Sequence, residues 1–465
     1  MRSLLVHGSL VALALTLAPA AQAQRVVQAT RPPNVVLILM DDLGYGDLGS
    51  YGVADAKTPH IDRLAREGVK LTDFYANGPS CSPTRTAFMM GRYQQRYGIE
   101  WPLGSQPDDS TRGLLPAETS LPRLLKSAGY ATGLLGKWHL GRKPQFYPGR
   151  HGFDEFWGFL GGAVDYYTKV DALGRHDLFH NDTAARDSGY LTDEITTRAQ
   201  SFIESHRTAP FFLEVAYNST HWPFQPPVLA ERHRVRRDEV RAAPNLEQRV
   251  AVLREGTRAD YVAMLESADR GVGAILTTLD RLDLSRNTLV IFTSDNGGEW
   301  LSRNAPLFHR KFTLWEGGIR VPALIRWPGR VPAGIVSRQV GITMDLTASI
   351  LSAAGVTPPP SHAAEGIDLI PLLAGRRTIE RTLFWRTGAP GRLQRAVRRG
   401  RWKYLRDAGT TTGGGHEFLF DLQADVGERR DLTATHATML PEFRKLVAAW
   451  EAGVDSSRAA LASSP

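Results

Sequence analysis

Short unbroken apolar runs alternate with longer stretches of helical period along the first three quarters of the chain. Residues 34–40 read Asn-Val-Val-Leu-Ile-Leu-Met, the pattern of a central strand buried on both faces, and the run stops on Asp41-Asp42. Runs of the same kind occur at 131–135, 211–216 and 289–293, separated by helical stretches such as 120–128 and 259–279. This alternation predicts an α/β fold with a large, mostly parallel sheet flanked by helices on both faces. After residues 366–375 the pattern breaks into short alternating pieces at 383–386, 395–397, 402–405 and 418–421, then an amphipathic stretch over 441–450. The break predicts a larger domain over 24–375 and a smaller C-terminal α+β domain over 376–465, built from an antiparallel sheet and a helix.

The first residues change the picture of where the chain works. Arg2, the apolar run 10–18 and Ala21-Gln22-Ala23 match a signal peptide over residues 1–23, which implies export to the periplasm or the medium. No later run approaches the roughly 20 apolar residues of a membrane helix. A length of 465 residues at 42% hydrophobic content exceeds what one core usually fills, which agrees with two domains. The net charge of +8 comes from Arg and Lys scattered among acids, with no basic block or recognition helix. Nucleic acid is therefore not an expected partner, and an anionic small molecule or polysaccharide is. Cys81 is the only cysteine, so an exported chain carries a thiol with no internal disulfide partner.

In parallel sheets, ligands bind outside the carboxyl ends of the strands. Those ends here carry Asp41-Asp42, Lys137-Trp138-His139, Asn218 to His221 and Asp295-Asn296. Asp41, Asp42, Asp295 and Asn296 are hard oxygen donors, which suit Ca²⁺ or Mg²⁺ better than zinc. Ser82 and Pro83 read as the N-cap and first position of a helix running to Met90. Cys81 would then sit at the positive end of that helix, with its thiol pKa lowered and an anion site beside it. Arg85 lies one turn further in, within reach of position 81 or of the carboxylates. Lys137 with His139, His221 and Lys311 add two ammonium groups and two imidazoles able to hold anions and transfer protons. The stretch 161–180, with Asp165, Tyr166, Tyr167, His176 and His180, reads as a pocket wall.

Cys81-Ser82-Pro83-Thr84-Arg85 fits the pattern Cys-x-Pro-x-Arg. Together with Asp41-Asp42-Leu43-Gly44, the turn 136–141, Ser294-Asp295-Asn296-Gly297, Trp315-Glu316-Gly317-Gly318 and the stretch 421–432, it makes the chain resemble the type I, formylglycine-dependent sulfatases. These arylsulfatase-like enzymes belong to the alkaline phosphatase superfamily, and the resemblance covers essentially the whole mature chain. It implies that a maturation enzyme oxidises Cys81 to Cα-formylglycine, whose hydrate attacks a sulfate ester and forms a covalent sulfo-enzyme intermediate. It also implies Ca²⁺, or Mg²⁺, held by Asp41, Asp42, Asp295 and Asn296 with residue 81 in its shell. By the same resemblance Arg85 and Lys137 steady the diol, and His139 takes the proton of the second hydroxyl. His221 and Lys311 face the bridging oxygen, and either could protonate the departing alcohol. The implied substrate is a sulfated carbohydrate, with aryl sulfates as model substrates. Arg310 and Phe312 flank Lys311 where many relatives carry glycine, a departure expected to reshape the substrate mouth. Two other readings stay open at this point: a phosphonate monoester or phosphodiester hydrolase of the same superfamily, and an inactive calcium-stabilised glycan-binding protein.

Overall fold

The computed structural model describes residues 31–104, 112–227, 238–387, 393–407 and 415–462, and the export signal expected over 1–23 lies outside them. Its centre is the strand Asn34–Met40, every residue of which is buried. Val35, Leu37 and Leu39 feed one core cluster and Val36, Ile38 and Met40 another, on opposite faces of the sheet. That two-sided burial is the physical reason for the unbroken apolar run.

Ten strands form the sheet, in the order 335–337, 69–71, 323–326, 288–294, 34–40, 211–216, 131–137, 155–159, 179–180 and 183–184. The middle is parallel: Asn34–Met40 lies between Phe211–Ala216 and Thr288–Ser294 and runs with both. Ala131–Lys137 continues in the same direction. Four carboxyl ends therefore emerge side by side, as the sequence pattern predicts. Antiparallel pairing enters on either side, where Ala323–Arg326 meets Thr288–Ser294 and where the hairpin 179–184 closes the far edge. The sheet is accordingly mixed, with parallel strands where the site lies.

Arg258–Arg281 and Leu191–Ser205 cover one face, the former started by a capping box between Thr257 and Asp260. The helix Cys81–Met90 is buried along its whole length, which its sequence does not suggest. At the C-terminus, Thr382–Arg386, Gln394–Arg399, Trp402–Asp407 and His416–Asp421 form an antiparallel sheet in chain order, followed by the helix Leu440–Ala462. Trp385, Ala396 and Leu405 of this sheet share a core with Tyr75, Leu314 and Ile319. Beneath them, the fully buried Lys403 Nζ sits 2.9 Å from Glu316 Oε1 and 2.8 Å from Glu428 Oε1. Glu316 also accepts hydrogen bonds from Tyr75 Oη at 2.7 Å and Arg320 Nη1 at 3.1 Å. The small sheet is thus bolted to the segment that follows Lys311.

Candidate active site

The backbone sets the site before any side chain does. Asp41 N donates to Ser219 O and Thr220 N to Asp41 O, which ties the ends of two adjacent strands together. Asp295 N donates to Met40 O and ties a third. Asp42 and His139 take left-handed φ values of 62° and 60°, tolerated by short polar or imidazole side chains, and so turn away from their strands.

Nine side chains then converge, all nearly inaccessible to solvent: Asp41, Asp42, Cys81, Arg85, Lys137, His221, Asp295, Asn296 and Lys311. Lys137 Nζ donates to Asp41 Oδ2 at 2.5 Å, and Lys311 Nζ lies 2.7 Å from Asp42 Oδ1 and 2.8 Å from Asp42 Oδ2. Arg85 grips Asp295 Oδ2 through Nε at 3.0 Å and Nη2 at 2.8 Å, and donates through Nη1 to Lys137 O at 3.1 Å. Cys81 Sγ is 3.4 Å from Asp41 Oδ1. Three buried carboxylates thus face three buried cations, which keeps the desolvation of each tolerable.

Oxygen atoms are left over. Among the described residues, Asp41 Oδ1 meets the thiol alone, Asp295 Oδ1 receives one long 3.4 Å contact from Asp42 N, and Asn296 Oδ1 is buried with no hydrogen-bond partner. Asn296 Nδ2 holds Asp42 Oδ1 at 2.7 Å. Unspent hard donors at neighbouring strand ends fit a divalent cation of the Ca²⁺ or Mg²⁺ type. Ligand atoms of Asp41, Asp42, Cys81 and His221 also lie within 4.8 Å of one another. His221 Nε2 is 3.7 Å from Asp42 Oδ2, however, and the oxygen set is the better match for a hard ion.

Two sequence expectations are corrected. Ser82 is not the N-cap: the helix begins at Cys81 after an extended Ser80, and Ser82 Oγ instead donates to His139 O at 2.8 Å and accepts from Leu103 N at 3.0 Å. The Cys81 thiol pKa is not lowered but raised well above its usual value, by burial first and by Asp295 and Asp41 next. A helix terminus contributes at most about 2 kcal/mol, too little against full burial beside two carboxylates. The thiol stays protonated.

His139 stands at the edge of the cluster. Its Nε2 is 2.8 Å from Leu103 O, which can only accept, so Nε2 carries the proton and the buried Nδ1 keeps a lone pair with no partner among the described residues. Burial, with Lys137 beside it, holds its pKa well below 6.5. His221 Nδ1 lies 2.6 Å from Trp222 O, so this ring is likewise fixed, with Nε2 toward Asp42. Its pKa too is pushed well below 6.5 by burial and Lys311. In the expected pocket wall, Tyr166 Oη donates to Asn218 O at 2.7 Å and His221 O at 3.0 Å, and so braces the turn that presents His221. Asp165 accepts from Tyr167 N, Thr168 N and Gln225 Nε2, a structural role. Tyr167 is half-buried with its ring tilted against Tyr190, while His176 and His180 are exposed and make no hydrogen bond to the cluster among the described residues.

Glu214 escaped the sequence reading, although an acid inside Phe-Phe-Leu-Glu-Val-Ala was its signal. Burial raises its pKa from 4.5 to about 7 against the pull of Arg85. The folded state therefore holds this proton more tightly than the unfolded chain. The stabilisation is complete below about pH 4.5 and lost as pH rises through about 7. Denaturant midpoints measured across that window should fall less steeply for Glu214→Gln than for the wild type; parallel curves would show that Glu214 does not titrate there.

Comparison with known proteins agrees with this arrangement. Residues 33–356 match the family model for Sulfatase. N-acetylgalactosamine-6-sulfatase of Canis lupus familiaris is 37% identical over 384 residues, covering 77% of this chain and 69% of that protein. Steryl-sulfatase of Mus musculus is 32% identical over 94% of this chain and 84% of that one. The crystal structure of Ps i-CgsB matches with a TM-score of 0.79 at 30% identity, over 90% of this chain and 93% of that one. A second Ps i-CgsB structure, in complex with k-i-k-neocarrahexaose, matches at 0.78. With a large sheet of alkaline-phosphatase-like fold, a family match over most of its length and named sulfatases among its relatives, the chain belongs to the sulfatase family and is a sulfuric ester hydrolase.

Proposed function

We propose that the protein releases sulfate from sulfated carbohydrates, with aryl sulfates as model substrates, after a maturation enzyme converts Cys81 to formylglycine. The observation that carries this reading is the state of Cys81 itself. Its Sγ lies 3.4 Å from Asp41 Oδ1 inside the ring of acids and cations, where a nucleophile belongs, yet burial and the neighbouring acids raise its pKa and disfavour the thiolate that would attack. The named activities of the N-acetylgalactosamine-6-sulfatase relatives and the bound neocarrahexaose of Ps i-CgsB support a carbohydrate substrate.

Hydrated formylglycine would supply one hydroxyl to attack sulfur and a second through which sulfate is expelled. Asp41, Asp42, Asp295 and Asn296 would hold Ca²⁺ or Mg²⁺, which polarises sulfate oxygens when bound. The rest falls to side chains of this chain. His139 Nδ1 has the free lone pair that takes the proton of the second hydroxyl. Arg85 and Lys137 hold negative charge around position 81. Of the two groups facing the bridging oxygen, His221 is neutral with its proton committed to Trp222 O, whereas Lys311 keeps its proton because Asp42 and the other acids around it together outweigh its burial. Lys311 thus brings positive charge to the departing oxygen. Residues 1–23 direct export to the periplasm, and the division into a catalytic domain to 375 and a smaller domain from 376 follows the change of strand pattern.

A Cβ on Gly162 would lie 2.8 Å from both Cε1 and Nε2 of His139. Gly162→Ala should displace the ring from Leu103 O and lower kcat roughly 100-fold with little change in stability. Steady-state kinetics beside a thermal melt check this, and an unaltered kcat would remove His139 from the mechanism. The proposal as a whole is tested by rates on matched aryl sulfate and aryl phosphonate esters and by sulfate release from sulfated mono- and disaccharides. Sulfate esters should be the faster substrates, and much faster turnover of the phosphonate would overturn the reading.

A further inference from the structure

A cavity of about 300 Å³ lies beside the segment that carries Lys311 and is lined by Glu299, Trp300, Asn304, His309, Arg310 and Arg429 among others. We infer that it is a subsite for an acidic sugar unit neighbouring the one that loses sulfate, so that the enzyme favours glycans carrying more than one anionic group. This inference rests on the sulfatase reading above.

The cavity is tied to the catalytic machinery through a single peptide. Gly298 O accepts from Lys311 N at 3.1 Å and from Asn304 Nδ2 at 3.0 Å, while Gly298 N donates to Asn304 Oδ1 at 3.0 Å. Glu299, next in the chain, is therefore fixed against both the cavity wall and Lys311. Its side chain is only 9% exposed; Oε1 pairs with Arg254, and Oε2 is buried without a hydrogen-bond partner among the described residues. Held in this way, Glu299 belongs to the wall of the cavity and leaves ligand binding to the residues that open onto it. The His221 ring lies tilted against Trp222 with centroids 4.8 Å apart, and Arg254 lies over that Trp222 ring at 5.7 Å.

Charge and shape narrow the ligand. Arg310 and Arg429 are exposed and make no ion pair among the described residues, and the acid of the cavity, Glu299, is committed to Arg254. Two open guanidinium groups beside an imidazole call for an oxyanion, either sulfate or carboxylate. Trp300, 45% exposed and braced by Phe224 at 6.1 Å, offers a flat face to a pyranose ring. His309 and Phe312 bracket Arg310-Lys311 with left-handed φ values of 65° and 70°. Glycine would adopt that turn at lower cost, so the strain goes with placing consecutive cations in two sites, Arg310 in the cavity and Lys311 on Asp42.

The test compares kcat/KM for sulfate release from three disaccharides that carry the same scissile sulfate: one with a second sulfate on the neighbouring sugar, one with a uronate there, and one with a neutral sugar. Wild type should prefer the two acidic substrates, and the ratio between them tells which oxyanion the cavity takes. In the double variant Arg310→Ala/Arg429→Ala, kcat/KM on the preferred acidic substrate should fall roughly tenfold further than on the neutral one. Equal losses on acidic and neutral substrates, or no wild-type preference while sulfate is released, would overturn the subsite alone. Release from none of the three, by formylglycine-containing enzyme that also leaves aryl sulfates intact, would instead overturn the sulfatase reading on which it rests.

Discussion

Cys81→Ala should lower sulfate-ester turnover roughly ten-thousand-fold or more while the protein still folds. The side chain lost is small, and the helix Cys81–Met90 keeps its remaining contacts, Ser82 with His139 and Leu103 and Arg85 with Asp295. Asp41, Asp42, Asp295 and Asn296 are untouched, so added Ca²⁺ should still raise the melting temperature of the variant. Loss of activity with retained calcium stabilisation assigns residue 81 to chemistry alone. Loss of both would instead make Cys81 a structural member of the cluster. Wild-type protein made without a maturation enzyme should behave as the variant does, because its buried thiol stays protonated.

Lys403→Met should cost about 3–5 kcal/mol of stability, because it leaves two buried carboxylates facing each other without their shared cation. Lys403 and its partners Glu316 and Glu428 are all inaccessible to solvent. Burial already raises the Glu428 pKa to about 7, even with Lys403 in place. Glu316 is held lower only because Lys403, then Arg320 and Arg398, outweigh its burial. Adding Glu428→Gln to the variant should restore part of the loss, since one of the stranded charges disappears. Urea denaturation of wild type, single and double variants checks this, and a single-variant loss below about 1 kcal/mol would show that the network is not needed.

The sheet and the site were legible to different depths. Strand cores were plain because Asn34–Met40 and its neighbours are buried on both faces, which leaves no polar position to confuse the pattern. Their ends ran a residue or two further than the apolar runs. Lys137 is itself the last residue of Ala131–Lys137, and Ser294 closes Thr288–Ser294. Asp41, Asp42, Lys137, His221, Asp295 and Lys311 could be read off those ends and the motifs around them, and the fold does gather them. What could not be read was depth. The helix after Ser80 carries Ser, Thr and Arg yet is entirely buried, so a thiol expected to be activated by a helix terminus is silenced by desolvation. The same blindness hid Glu214 within its strand, and the Glu299–Arg254 pair, whose members lie 45 residues apart. Pairings of that kind depend on loop placement, which hydrophobic period does not encode.

The most direct measurement is the mass of the peptide spanning residue 81, taken from preparations of graded specific activity on an aryl sulfate. Activity should rise in proportion to the fraction of that peptide carrying an aldehyde in place of the thiol, and should extrapolate to zero where the aldehyde is absent. Full activity in a preparation whose residue 81 is wholly unmodified cysteine would contradict it.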